Sequence, residues 1–337
     1  MNNLKILTSG IFSTIQDSGR IGYQGEGFLN SGVMDSFAYQ IGNALVGNAL
    51  SDNPASIEFG ITGGKIRFSS HTIVSITGAR VVLKLNDNEI DQDVPIIVKK
   101  NDVLDFTKMT KGRFVYLSVA GGIQVPTIMN SHSTSLAVNL GGFEGRKLEN
   151  GDVLPILDLS QVSHQSVTKL SPKMPKGIFS LVNSNKIRVV NGPEFDWFSE
   201  TEWQKLLQQP FSLGKHINRM GFRIDGTTIN FKPENLLSEA NMNGAVQISR
   251  DGHPIILLAD RATHGGYPVI AKVISSDLGM LAQWPQNKPI YFDKVSVTDA
   301  WAISTQQAAI VKNIYQTQPW QIVSPTRAMA SKIKQLF

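Results

Sequence analysis

The residues best suited to chemistry lie in two glycine-rich stretches far apart in the chain. The first, residues 14–35 (TIQDSGRIGYQGEGFLNSGVMD), holds five glycines and only four charged residues, Asp17, Arg20, Glu26 and Asp35. Glycines this dense permit positive-φ turns and close approach to another surface, so the segment reads as an ordered loop leading into a helix. The second, residues 260–277 (DRATHGGYPVIAKVISSD), follows the apolar run 255–259. Asp260 and Arg261 stand where a buried strand meets a loop, a common position for active-site groups. The backbone N–H groups of Gly265 and Gly266 suit a carboxylate or oxyanion, and Tyr267 could flank the same pocket. A plainer reading stands beside each: a turn-rich connection with incidental charges for the first, and structural pairing or turn capping by Asp260 and Arg261 for the second.

Between them runs NRMGFRIDG, residues 218–226, which its glycines mark as a turn. Arg219 and Arg223 could fork onto a carboxylate substrate, or tie Asp225 and Glu239 into a surface network.

Several chemistries are excluded or disfavoured. The six histidines make no HxH, HxxxH or HExxH spacing, so no preformed metal site is expected. Neither a GxSxG elbow, a Walker A sequence nor a dinucleotide-binding glycine motif after a strand is present. Any ATP chemistry would therefore rest on ATP bound by another chain. The absence of cysteine removes disulfides, thiolate nucleophiles and Cys-ligated metals. A net charge of +5 over 337 residues, with no aromatic residues interleaved in a basic run, argues against nucleic acid. No bilayer-length apolar run and no leader-like start are visible, so the expectation is a cytoplasmic protein with no membrane association.

Elements of two kinds must position these residues. A helix is expected over 35–46, where Phe37, Ile41 and Leu45 recur at helical spacing before Gly47. Short apolar runs at 73–76, 81–85, 96–98, 103–106, 114–119 and 153–157, parted by turn signals, predict strands about ten residues apart. That spacing points to a barrel or sandwich and not to βαβ units. Residues 158–177 carry four serines, two prolines and no apolar period, the best linker composition in the chain. Beyond it, strands are expected at 187–190, 245–248, 255–259, 269–274 and 290–297. Helices are expected after the capping box at Ser199 to Glu202, around 299–309 and around 328–336. The division that follows is an N-terminal domain over 1–160, a linker over 161–180, and a C-terminal domain with a helical tail over 181–337.

Taken in order, residues 14–35, NALVGN, the turn at Ser75 to Ala79, SVAGGIQVP, NRMGFRIDG and GAVQISRDGHPIILLADRATHGGYPVIAKV resemble successive signatures of one family. It is the KipA-like family, also called allophanate hydrolase subunit 2, biotin-dependent carboxyltransferase-like or the C-type subunit of 5-oxoprolinase. The resemblance covers roughly residues 5–305. It implies a mainly β architecture of two cyclophilin-like β-barrel domains with a few peripheral helices. It implies partners as well, a KipI-like subunit and a LamB/YcsF-like subunit, in a complex that cleaves 5-oxoproline to glutamate and consumes ATP. The alternatives are the carboxyltransferase half of a biotin-dependent urea or amide carboxylase, or a KipA-type regulator that binds a kinase-inhibiting partner. Biotin belongs only to the first of these, and no covalently bound cofactor is expected on this chain. Asp17, Arg20, Asp35, Arg219, Asp260, Arg261 and Tyr267 match the family pattern, whereas His132 stands where an arginine is usual. The expected roles are Asp17 and Asp260 in orienting the amide or relaying a proton. Arg20 and Arg219 would take the substrate carboxylate, with Asp35, Arg261, Gly265, Gly266 and Tyr267 completing the binding groups. The two glycine-rich stretches would then be the facing walls of one cleft between the domains.

Overall fold

Along Val74-Ser75-Ile76-Thr77 an apolar residue alternates with a small hydroxyl, and both faces of that strand are buried. A computed structural model describes residues 2–157, 159, 186–232 and 237–318, with twenty strands and four α-helices among them. The chain is mainly β, as expected, and divides into two compact units. One comprises Met1–Ser18, Ser36–Lys176 and Ala309–Phe337, the other Gly19–Asp35 and Gly177–Ala308. The glycine-rich loop is thus divided after Ser18, and most of it belongs with the C-terminal half. The linker expected at 161–180 and the helix expected near 328–336 lie outside the described residues.

In the first unit two antiparallel sheets share one core. The six-stranded sheet runs Val153–Pro155, Asn3–Thr8, Lys65–Phe68, Val103–Asp105, Lys84–Leu85, Asn88–Glu89. The five-stranded sheet runs Phe12–Gln16, Ser56–Gly60, Met109–Val119, Thr72–Val81, Ile96–Val98. Leu4, Ile6, Ile66 and Phe68 from one meet Ile15, Phe59, Val74, Ile76 and Leu117 from the other in a single cluster. Phe59 and Phe106 pack edge to face, 5.0 Å between centroids. On its other face the five-stranded sheet carries helix α1 (Ser36–Leu45). The hydroxyls of Ser75 and Thr77 donate to the carbonyls of Gly42 and Ala38 at 2.8 Å each. A Cβ at Gly42 would lie 2.7 Å from Ser118 Oγ, so only glycine lets the helix come this close.

The second unit is built on a seven-stranded sheet, Ser212–Ile217, Gly221–Asp225, Pro254–Leu257, Ala245–Ile248, Val269–Val273, Lys186–Asn191, Tyr291–Lys294. Every pairing is antiparallel except the last. Helix α2 (Glu200–Gln208) begins at the expected cap, where Ser199 accepts from the Glu202 N–H. Helix α4 (Val297–Thr317) is longer than expected. Two expectations need correction and one element was not anticipated. Residues 218–226 are only partly a turn, because Gly221–Asp225 is a strand whose glycine admits the Ile256 carbonyl, 2.8 Å from where a Cβ would sit. The apolar run 81–85 spans the end of one strand and the start of another. Helix α3 (Ser275–Ala282) is concealed in the sequence by its shortness and its internal glycine.

That glycine, Gly279, faces Asp35, whose Oδ1 would lie 2.3 Å from an added Cβ. A helix-interior Gly→Ala change ordinarily stabilises by about 0.5–1 kcal/mol. Here the clash with a buried carboxylate should outweigh it, so Gly279→Ala is expected to destabilise by about 1–3 kcal/mol, the usual range for overpacking. Denaturant melts of the two proteins measure the difference, and a more stable variant would refute the close approach.

Candidate functional site

Asp17, at the end of strand Phe12–Gln16, is fully buried. Its Oδ1 accepts from the hydroxyls of Ser131 and Ser133, and its Oδ2 from Asn53 Nδ2 and the His132 N–H. Ser133 Oγ in turn accepts from the Asp17 N–H at 3.0 Å, and Ser131 Oγ from the Ser133 N–H at 3.0 Å. Next to this cluster the segment is zipped to the strand, with Thr134 donating from N and Oγ1 to the Ile15 carbonyl. A carboxylate whose two oxygens each accept two hydrogen bonds is a buttress for the 131–135 segment. With an N–H and two hydroxyls as donors, the cradle uses no His132 side chain, so the missing arginine at that position leaves it intact.

The remainder of the first glycine-rich stretch packs on the second. Gln24 donates from Nε2 to the carbonyls of Asn241 (2.9 Å) and Thr263 (2.8 Å), and its Oε1 accepts from Arg261 at 3.3 Å. Arg219, 7% exposed, forks onto Asp260 through Nε (2.7 Å) and Nη2 (3.1 Å), and Nη2 also donates to the Gly32 carbonyl at 2.5 Å. The two stretches therefore meet within one unit, directly at Gln24 and, through Arg219, at Gly32. Arg219 and Asp260, expected to serve the substrate carboxylate and the amide, pair with each other. Arg223 pairs with Asp251.

The other expected residues take several environments. Arg20 is fully buried, and its N–H donates to the Asn30 carbonyl at 2.6 Å. Asp35 accepts from Gln283 Nε2 at 3.0 Å. Gly265 lies in a two-stranded ladder opposite Glu239, where a Cβ would stand 2.7 Å from Asn241 Oδ1 and 2.8 Å from Gln247 Nε2. Its glycine is there for space and not for a left-handed backbone. Gly266 follows it, and Tyr267 is exposed.

Several polar residues not among the expected site residues complete this region. Asn241 holds the Ala262 carbonyl with Nδ2 and accepts from Gln247 Nε2 at 2.9 Å. Glu194 is buried and accepts from the Val269 N–H at 2.8 Å. Burial raises its carboxyl above the ordinary range against that hydrogen bond, and the nearby charges of Glu239 and Asp196 push the same way. Lys272 is lowered by burial and further by the positive charge of Arg261, which burial lowers in its own right. A lysine inside an apolar strand, VIAKV, is the sequence signal for it. Among the described residues no cluster of histidine and carboxylate side chains is gathered for a metal, and no helix is long and apolar enough to cross a membrane.

Two outcomes follow from these environments. Asp17→Ala leaves four donors unmatched, two of them buried hydroxyls, and is expected to destabilise by on the order of 3 kcal/mol, with Asp17→Asn milder, as thermal or denaturant melts would report. A raised carboxyl contributes stability that is complete below the unfolded value of about 4.3 and is lost as pH rises through the folded value. Glu194→Gln keeps an acceptor for Val269 and removes that loss. Its melting temperature relative to the parent should therefore be higher at pH 7 than at pH 4, and a pH-independent difference would exclude the effect.

Residues 26–294 match the family described as carboxyltransferase domain, subdomain A and B. The chain is 35% identical over 298 residues to the C-type subunit of 5-oxoprolinase from Escherichia coli K12, covering 88% of this chain and 93% of that protein. It is 30% identical over 331 residues to urea amidolyase of Saccharomyces cerevisiae, covering 94% of this chain but 18% of that one. Among solved structures, urea carboxylase of Kluyveromyces lactis superposes with a TM-score of 0.82 at 29% identity, over 95% of this chain and 30% of that one. A match over most of the length, in sequence and in fold, leaves one conclusion: the chain belongs to the carboxyltransferase domain, subdomain A and B, family.

Proposed function

We propose that this chain is a subunit of an ATP-dependent 5-oxoprolinase, working with a KipI-like and a LamB/YcsF-like subunit to open 5-oxoproline to glutamate. The observation that carries the reading is length as much as identity. The similarity runs over 93% of a bacterial 5-oxoprolinase subunit of the C type, whereas it accounts for 18% of a urea amidolyase. A lactam is resonance-stabilised, so its opening needs an activated carbonyl and stabilisation of the charge that develops. This chain has no nucleotide-binding motif, which leaves activation by ATP to a partner chain. Its part is to hold the ring and its carboxylate. Arg261, with the Gly265, Gly266 and Tyr267 segment, stands nearest that task. Arg219–Asp260, Asp35 and Asp17 hold the surrounding loops in place.

A second reading has its own support. The superposition on urea carboxylase favours carboxyl transfer to urea or a related amide. That chemistry needs a biotin carrier, and this sequence has no Met-Lys-Met biotinylation site. Biotin detected by streptavidin on a co-purifying protein would favour it.

The deciding experiment combines the three candidate subunits and follows glutamate release dependent on both ATP and 5-oxoproline. Release is expected only when this chain is present. Full activity in its absence would sink the proposal.

A further inference from the structure

In the second unit some arginines are neutralised by a carboxylate, and two cations stand apart from them. Arg188 is held by Asp277 and Arg219 by Asp260. Arg261 is 7% exposed, and its described contacts are all to neutral oxygens: Nε to the Asn241 carbonyl, Nη1 to the Leu258 carbonyl and Nη2 to Gln24 Oε1. Lys272 is half-buried, and its Nζ donates to the Val273 carbonyl at 3.2 Å. No carboxylate of the described residues pairs with either one. Asp260, next to Arg261 in sequence, is spent on Arg219.

The two cations hang from the same pair of backbone segments. Arg261 is fixed to Asn241 and Leu258, while Lys272 lies opposite Ala245 in the sheet. Gly244 joins these anchors, donating to the Leu257 carbonyl and accepting from the Val273 N–H. A guanidinium carries five N–H groups and an ammonium three, so both keep donors beyond those used here. Two like charges set near each other, one of them buried, cost stability unless an anion compensates them. Such a site is built for something that arrives from outside.

We infer that Arg261 and Lys272 form one anion subsite, which takes a small planar oxyanion of the carboxylate class. The planar fork of Arg261 suits two carboxylate oxygens, and Lys272 adds a point charge. The inference deepens the proposed function by naming the groups that would hold the carboxylate of 5-oxoproline. It stands apart from that reading in one respect, because bicarbonate offers the same chemistry.

The test measures direct binding to the full chain by calorimetry at constant ionic strength, for 5-oxoproline, bicarbonate and the uncharged lactam 2-pyrrolidinone. Lys272→Met preserves length and removes the charge without touching the hydrogen bonds of Arg261. Saturable binding of 5-oxoproline, absent for 2-pyrrolidinone and weakened at least tenfold in K272M, supports both the subsite and the lactam substrate. Binding of bicarbonate alone, weakened likewise in K272M, supports the subsite and counts against the 5-oxoprolinase reading. Binding of neither anion, or binding unchanged in a K272M protein that melts like its parent, overturns the subsite. The reconstituted activity would then still be decided by its own assay.

Discussion

The second unit depends on a buried ion pair, Arg219 with Asp260. A pair of this kind adds little net stability, because desolvation offsets the attraction, yet removing one partner costs about 3–5 kcal/mol. Its value lies in arrangement. The same guanidinium holds the Gly32 carbonyl, so three parts of the chain meet at one side chain: the glycine-rich loop, the start of strand Gly221–Asp225 and the turn after Pro254–Leu257. Glycine lets that loop lie flat enough for its carbonyls to be used, and Gln24 repeats the device further along with two carbonyls and an arginine. With Asp260 and Arg219 spent on each other, the next residue, Arg261, keeps its charge for something else.

The first unit meets the same constraint with hydroxyls. Asp17 is satisfied without any cation among its four donors described here, and the face of the sheet beneath helix α1 is lined by Ser56, Ser75, Thr77 and Ser118. Hydroxyls on a pleated face can reach helix carbonyls that aliphatic side chains would hold away, as those of Ser75 and Thr77 do. The result is a helix seated very close to a sheet, with Gly42 as the residue that permits it.

Mainly β architecture is legible from strand spacing, and the capping box at Ser199 marks the start of a helix by local chemistry alone. The strand at Ile96–Val98 and the helix at Ser36–Leu45 fall where their apolar periods put them. Other signals are ambiguous in kind. The alternation Val74-Ser75-Ile76-Thr77 looks the same whether its polar face meets water or a helix. A glycine in a strand, as at Gly221, looks like a turn until the neighbouring backbone is in view.

What the sequence determined by itself is which segments matter and what family they resemble, because motif order and local propensity are properties of neighbours along the chain. Tertiary structure alone decided which partners each charged residue meets. Asp17 and Asp260 have the same side chain and carried the same expected role. One ended in a nest of serines and the other on an arginine 41 residues away. Lys272 is one more residue of an apolar strand until the fold brings it within reach of the charge of Arg261. A charge takes its function from its partners, and partners are chosen by folding in three dimensions.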